Sequence, residues 1–107
     1  MSVTVRDDPE KSRYEVYDSD KLAGFTEYHL YRNEIAFIHT EVDPAFAGRG
    51  LAGQLVQSAL DDARKRGLAV LPFCPYVRKF IGRHPEYLDL VPEEQRDRFG
   101  FGRVESS

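Results

Sequence analysis

Ile35-Ala36-Phe37-Ile38-His39-Thr40-Glu41-Val42-Asp43-Pro44-Ala45-Phe46-Ala47-Gly48-Arg49-Gly50-Leu51-Ala52-Gly53 is the stretch that decides the fold of this chain. Ile35 to Val42 is a strand-like run, and Asp43-Pro44 stops it. Three glycines follow and lead into a segment whose apolar residues fall at Leu51, Leu55, Val56, Ala59, Leu60 and Ala63. That spacing is one face of a helix, with Gln54, Gln57, Ser58, Asp61, Asp62, Arg64 and Lys65 on the other. Lys65 and Arg66 lie in its last turn, and Gly67 suits the left-handed position just beyond it. Glycines at a helix N-terminus leave backbone N–H groups uncovered, where the aligned peptide dipoles favour an anion. A phosphate or pyrophosphate is the expected occupant.

Upstream of this stretch the chain reads as strands. Val3 to Asp7 is a short one, ended by Asp8-Pro9; Arg13 to Tyr17 is a second, rich in strand formers. Asp18-Ser19-Asp20-Lys21 is turn chemistry, Leu22 to Tyr31 a third strand, and Arg32-Asn33-Glu34 a second tight turn into Ile35 to Val42. Short connections between consecutive strands mean antiparallel hairpins. Downstream, Leu68 to Phe73 is a buried type of strand. Cys74-Pro75 then opens a short helix to about Gly82, since proline is favoured at the first helical position. His84-Pro85-Glu86-Tyr87 breaks that helix. The predicted fold class is α+β: four antiparallel strands, the glycine-led helix, a fifth strand and a short helix.

The 107 residues make one domain, 1–107, with a core at about 3–90 and a charged, loosely held tail at about 91–107. A net charge of -3 and a pI near 5.6 carry no basic field, so no nucleic-acid partner is expected. The longest apolar run is short and broken by Pro72 and Pro75, which predicts no membrane span. The N-terminal residues have no apolar signal core and there is one cysteine, so a cytoplasmic protein is expected. No metal ligand is assigned.

Gly48-x-Gly50-x-x-Gly53 has the letter pattern of a dinucleotide-binding loop, but three strands precede the motif's own strand. The position about 20 residues on, where an acidic group belongs, falls at Phe73-Cys74. No lysine followed by Ser or Thr makes it a P-loop. In this order of elements, Ala47-Gly48-Arg49-Gly50-Leu51-Ala52 instead resembles the acyl-CoA motif Q/R-x-x-G-x-G/A of the GNAT acetyltransferase superfamily, with Ala47 where Gln or Arg is usual. Pro72 to Val77 and Phe80 to Tyr87, with Phe37 to Val42 upstream, are similar to its small single-domain branch, the YjdJ-type or C/G acetyltransferase domain. The resemblance covers about residues 5 to 90. Only Asp8 to Ser12 separates the first two strands, so the two helices that larger relatives place there are missing and the acceptor site is expected to be open.

The resemblance implies an acetyl-CoA-dependent N-acetyltransferase acting on an unidentified amine, small molecule or protein. It implies acetyl-CoA held in a splay between the fourth and fifth strands by Val42, Ala47, Gly48, Arg49, Gly50, Leu51 and Ala52. The oxyanion donor it implies is a backbone N–H near Thr40 to Val42. Candidate catalytic side chains are Cys74, Tyr76 and Glu41. Cys74 stands at a helix N-terminus, which favours thiolate; it can serve as acyl acceptor, as acid toward the CoA thiolate, as a disulfide partner, or as a small buried residue. Tyr76 occupies the place of a tyrosine acid or of a packing aromatic. Glu41, or His39 on the same strand face, can act as or order water for the general base. Arg49, Arg78 and Lys79 can meet CoA phosphates, whereas His84 belongs to the loop after the helix. The second function considered is a CoA-binding or CoA-sensing module with little catalysis, in which Cys74 reacts with the ligand.

Overall fold

The computed structural model describes residues 2–101. It contains a five-stranded sheet of order β1-β2-β3-β4-β5, formed by β1 (Val3–Asp8), β2 (Arg13–Asp18), β3 (Lys21–Tyr31), β4 (Glu34–Val42) and β5 (Ala69–Pro72). The first four strands form an antiparallel meander, and β5 joins β4 in parallel. Helix α1 (Leu51–Lys65) makes the crossover between β4 and β5, and α2 (Pro75–Arg83) follows β5. The predicted α+β architecture is therefore the observed one. Between β1 and β2 lies only a turn, in which Lys11 and Ser12 donate their N–H groups to the carbonyls of Asp8 and Pro9.

All six apolar residues of the predicted α1 face are buried. Leu55 and Leu60 are fully enclosed; cutting either back to alanine costs about 2–5 kcal/mol. The helix ends in a Schellman motif: Gly67 N–H donates to the Arg64 carbonyl and Leu68 N–H to that of Ala63, with Gly67 at φ 71°. Polar contacts fasten the other flank of α1 to the sheet. Tyr14 donates to Asp62, Tyr28 to Asp7 at 2.5 Å, and Arg66 reaches both Asp62 and the Tyr14 hydroxyl. Burial and these carboxylates hold the Tyr14 and Tyr28 phenols well above the usual tyrosine range.

The sheet face opposite α1 is covered by its own long side chains. The guanidinium of Arg6 lies over the Tyr17 ring and that of Arg13 over the Phe25 ring. Arg13 and the Tyr17 hydroxyl both donate to Glu15, whose side chain is only 5% exposed. Burial alone would push the Glu15 carboxyl up, but the bonds from Tyr17 and Arg13 outweigh it and hold the group below the usual range.

One expectation is corrected at the C-terminal end. Within the segment read as a loosely held tail, Val91 is completely buried and Phe99 is 5% exposed. Phe99 meets Phe73 edge to face at 5.0 Å, and Arg96 donates to the Val91 carbonyl. Two apolar residues among many charges suffice to anchor this segment to the core. Residues 102–107 lie outside the described residues.

Candidate functional site

The β4–β5 pairing is short. It runs from Glu34 opposite Ala69 to Phe37 opposite Pro72, and β4 then continues through Ile38–Val42 with no strand, among the described residues, on its β5 side. At the same point the pairing of β4 with β3 skips a residue: Glu27 faces His39 and Tyr28 faces Phe37, which leaves Ile38 as the extra residue of a bulge. A bulge bends the strand that carries it, and this one falls where β4 parts from β5. The result is a wedge-shaped gap whose β4 wall is bare backbone.

Cys74 closes the narrow end of that gap. Its backbone N–H donates to the Phe37 carbonyl at 2.8 Å, tying the start of α2 to the last paired residue of β4. It is the N-cap of α2 with Pro75 next, as the sequence predicts, but its thiol does not cap the helix. The buried Sγ lies 3.2 Å from Thr40 Oγ1, which lies 2.9 Å from the fully buried Thr26 Oγ1. Thr26, Thr40 and Cys74 form one hydrogen-bonded chain beneath the gap. Strand alternation sends Thr40 to the α1 side of β4 and its neighbours to the open side. There His39 Nε2 is 3.1 Å from Glu41 Oε1, and both side chains are exposed.

The wide end of the gap leads to the glycine loop. Asp43 accepts from the Ala45 N–H and caps a 3-10 turn at Pro44–Phe46, and Ala47 N–H donates to the Pro44 carbonyl. Gly48 and Gly50 then adopt φ of 84° and 73°, the left-handed region that other residues enter at a cost. A Cβ at either position would meet no atom within 4 Å. Gly50 is the N-cap of α1 without any side-chain cap, and the first turn has no acidic residue. Among the described residues, the N–H groups of Gly48 to Gly53 reach no acceptor. This is an open cradle of unspent donors at a helix N-terminus, and it fits a pyrophosphate.

Residues 13–90 match the model of the family described as GCN5-related N-acetyl-transferase. The chain belongs to this family. Two curated proteins similar to this chain are both named protein NATD1. That of Danio rerio is 32% identical over 74 residues, 67% of this chain and 66% of that protein; that of Bos taurus is 40% identical over 55 residues, 50% and 49% of the two chains. The chain thus spans about half to two thirds of the length of the relatives it matches. The NMR solution structure of a GCN5-like protein from Staphylococcus aureus shares the fold at a TM-score of 0.65 and 20% identity, covering 86% of this chain and 91% of that one.

Within this GNAT frame the structure sorts the residues singled out in the sequence. Val42, at the end of β4, is paired with Gly24 beside the loop. Leu51 anchors the first turn of α1 in the core, and Ala52 is half-buried above it. Arg49 spends its guanidinium on Asp18, at 2.7 Å, so what it offers the cradle is its backbone N–H. Arg78 turns back onto the carbonyls of Pro72 and Phe73, bracing the end of β5. Tyr76 is 41% exposed and lines a cavity with Lys79 and Phe80. Thr26 and Thr40 were not singled out as partners of Cys74; only the strand register brings the three together. Among the described residues no helix is long and apolar enough to cross a membrane, and no cluster of His, Cys, Asp and Glu is placed to hold a metal ion.

Proposed function

We propose that this chain is an acetyl-CoA-dependent N-acetyltransferase of the small YjdJ-type branch, cytoplasmic, acting on an amine acceptor. The observation that carries the proposal is the continuity of the glycine cradle with the β4–β5 gap that ends at Cys74. Bound acetyl-CoA supplies an acyl carbon activated as a thioester. The backbone N–H groups from Gly48 to Ala52 hold its pyrophosphate, and Val42 and Ala47 flank the entry. The unpaired edge of β4 near Thr40 to Val42 provides N–H donors for the charge that develops on the carbonyl oxygen.

Proton transfer divides between the two faces of β4. On the open face, the Glu41 and His39 pair takes a proton from the acceptor ammonium, directly or through water, and frees the nitrogen lone pair. The amine nitrogen bonds to the acyl carbon as the carbon–sulfur bond breaks, and the surplus proton left on that nitrogen passes to solvent to give the neutral amide. On the covered face, the Thr40 hydroxyl is hydrogen-bonded to Cys74, and the Cys74 S–H gives its proton to the departing sulfur; the thiolate so formed recovers a proton from solvent. Tyr76, at the first turn of α2, is the other group able to supply that proton.

A panel of alkyl, aryl and peptidyl amines incubated with acetyl-CoA tests the proposal, with product mass and free CoA as readouts. Product and CoA in equal amounts are expected for at least one class of amine. Their absence across the panel, together with a stable acetyl adduct on Cys74, would establish the sensing module instead. Full turnover by Cys74→Ala would remove Cys74 from the chemistry.

A further inference from the structure

From Ala47 to Gly50, the loop that leads into α1 has one side chain longer than a methyl group, that of Arg49. All of these residues are exposed. Gly48 and Gly50 stand on either side of Arg49 in the left-handed region, and no packing holds them, since a Cβ on either would meet nothing within 4 Å. Glycine also has more backbone freedom to lose than any other residue. Among the described residues, the backbone hydrogen bonds that bound the loop are those from Ala47 N–H to the Pro44 carbonyl and from Gln54 N–H to the Gly50 carbonyl. The donors between them take their direction from whatever fixes Arg49.

Arg49 is clamped from two sides. Its Nη1 donates to Asp18 Oδ2 at 2.7 Å, and its guanidinium carbon lies 5.4 Å from the centre of the Phe46 ring. The Asp18 side chain is only 13% exposed, which screens this ion pair less than one between two solvated groups. Both anchor points are themselves fixed. Asp18 ends β2, where it is paired with Val3 of β1 and Lys21 of β3, and the next residue, Ser19, donates its N–H to the Ser2 carbonyl at 2.7 Å. Phe46 packs against the core. The clamp therefore joins the β2–β3 turn to a loop that lies 31 residues further along the chain.

We propose that Asp18 is a positioning residue for the anion cradle: acting through Arg49, it holds the N–H groups of Gly48 to Gly50 in the arrangement that receives a pyrophosphate. The inference rests on the pyrophosphate lying in this cradle. It assigns the Arg49 charge to holding the loop and not to the phosphate. A loop ordered in advance loses less conformational entropy when the ligand arrives, and that difference appears as affinity. Charge alone predicts the reverse of this role. Removing Asp18 deletes a negative group near the cradle and releases a positive one, which by itself would strengthen the binding of an anion.

Calorimetric titration of acetyl-CoA into wild type, Asp18→Ala, Arg49→Met and the double variant tests the assignment. Arg49→Met keeps a stem to lie on Phe46 and removes the charge. The Arg49 side chain is 44% exposed, so the fold loses little with the pair, and a thermal melt checks each variant. Affinity is read well below every melting temperature, where a merely structural loss does not move it. Asp18→Ala is expected to bind acetyl-CoA about fivefold more weakly, Arg49→Met by the same factor, and the double variant no more weakly than either. Equal or tighter binding by Asp18→Ala would overturn the positioning role and leave the cradle standing. A loss in Arg49→Met far above that in Asp18→Ala would place the guanidinium on the phosphate and overturn it too, as would losses that add in the double variant. Failure of wild type to bind acetyl-CoA would overturn the cradle and the positioning role together.

Discussion

Replacing Gly50 by glutamate separates the anion cradle from the fold that carries it. Gly50 sits at φ 73° and a Cβ there touches nothing within 4 Å, so the fold pays only for the left-handed backbone, about 1–2 kcal/mol for a residue with a side chain. The new carboxylate stands at a helix N-terminus that has no acidic residue in its first turn, which returns about 0.3–1 kcal/mol. The net loss is about 1 kcal/mol, a fall in Tm of roughly 4–8 °C. Ligand binding suffers more. One carboxylate about 5 Å from the two charges of a pyrophosphate costs about 1.7 kcal/mol even with the full screening of water, and more as the loop sheds solvent. That is a loss of at least about tenfold. Calorimetry with acetyl-CoA, beside a thermal melt, reads both quantities. Equal affinity in wild type and Gly50→Glu, with the variant folded, would refute the placement of the pyrophosphate.

Thr40→Val keeps the shape of the β4 side chain and removes the hydroxyl that joins Cys74 to Thr26; kcat should fall about fivefold or more, with the KM for acetyl-CoA steady and Thr40→Ser restoring the rate. Unchanged kcat would take the hydroxyl chain out of the reaction. Gly24→Ala would bring a methyl group to 2.6 Å from the Glu41 carbonyl oxygen and 3.0 Å from Val42, prising β3 from β4 beside the gap; a loss of about 1–3 kcal/mol by denaturant melt is expected, together with reduced turnover. Glu15→Gln should cost about 1.5–3 kcal/mol at pH 7. Because folding depresses the Glu15 pKa, its stabilisation is present above the ordinary carboxylate value of 4.5 and is lost as pH falls through the lower folded value, so the wild-type and variant melts should converge in acid. Parallel curves down to low pH would show that the charge of Glu15 adds nothing.

What the sequence disclosed and what it withheld divide by range. The buried face of α1, its glycine stop at Gly67 and the N-cap at Cys74-Pro75 are set by residues within a turn or two of each other, and local spacing states them. The bulge at Ile38 is a relation between two strands. No property of Ile38 itself marks it, yet it ends the β4–β5 pairing and puts Thr40 next to Cys74. The burial of Val91 and Phe99 is hidden in the same way, since the charges around them set the local average while two side chains make the contact. The wall of the cavity between α1 and α2 joins Gly53 to Phe80, and only the packing of those two helices brings them within reach. His84, read from its place after a helix as a loop residue, becomes legible as a partner of Phe80 once that packing is known.

The absence of helices between β1 and β2 shapes the acceptor side. A sheet face left without helices has to be covered by its strands' own side chains, and here β2 and β3 supply Arg13, Glu15, Tyr17 and Phe25, tied to one another by ion pairs and ring contacts. This lattice shields the strands and is continuous with the proposed base, because Phe25 lies 6.2 Å from His39, which bonds Glu41. A shallow surface of about 190 Å³ runs on from there past Leu22, Phe25, Glu41 and Asp43. Such a face has no walls to enclose a small molecule, which needs most of its surface buried to bind well. It does offer two carboxylates and exposed apolar area to a larger partner. An amine borne on a macromolecule gains its affinity from contacts away from the reacting nitrogen, and these need no pocket. Under the proposed function, this open face is expected to favour a protein amine over a metabolite as the acceptor. A peptidyl amine outpacing its free amino acid counterpart in kcat/KM is the expected result, and the reverse order would refute the argument.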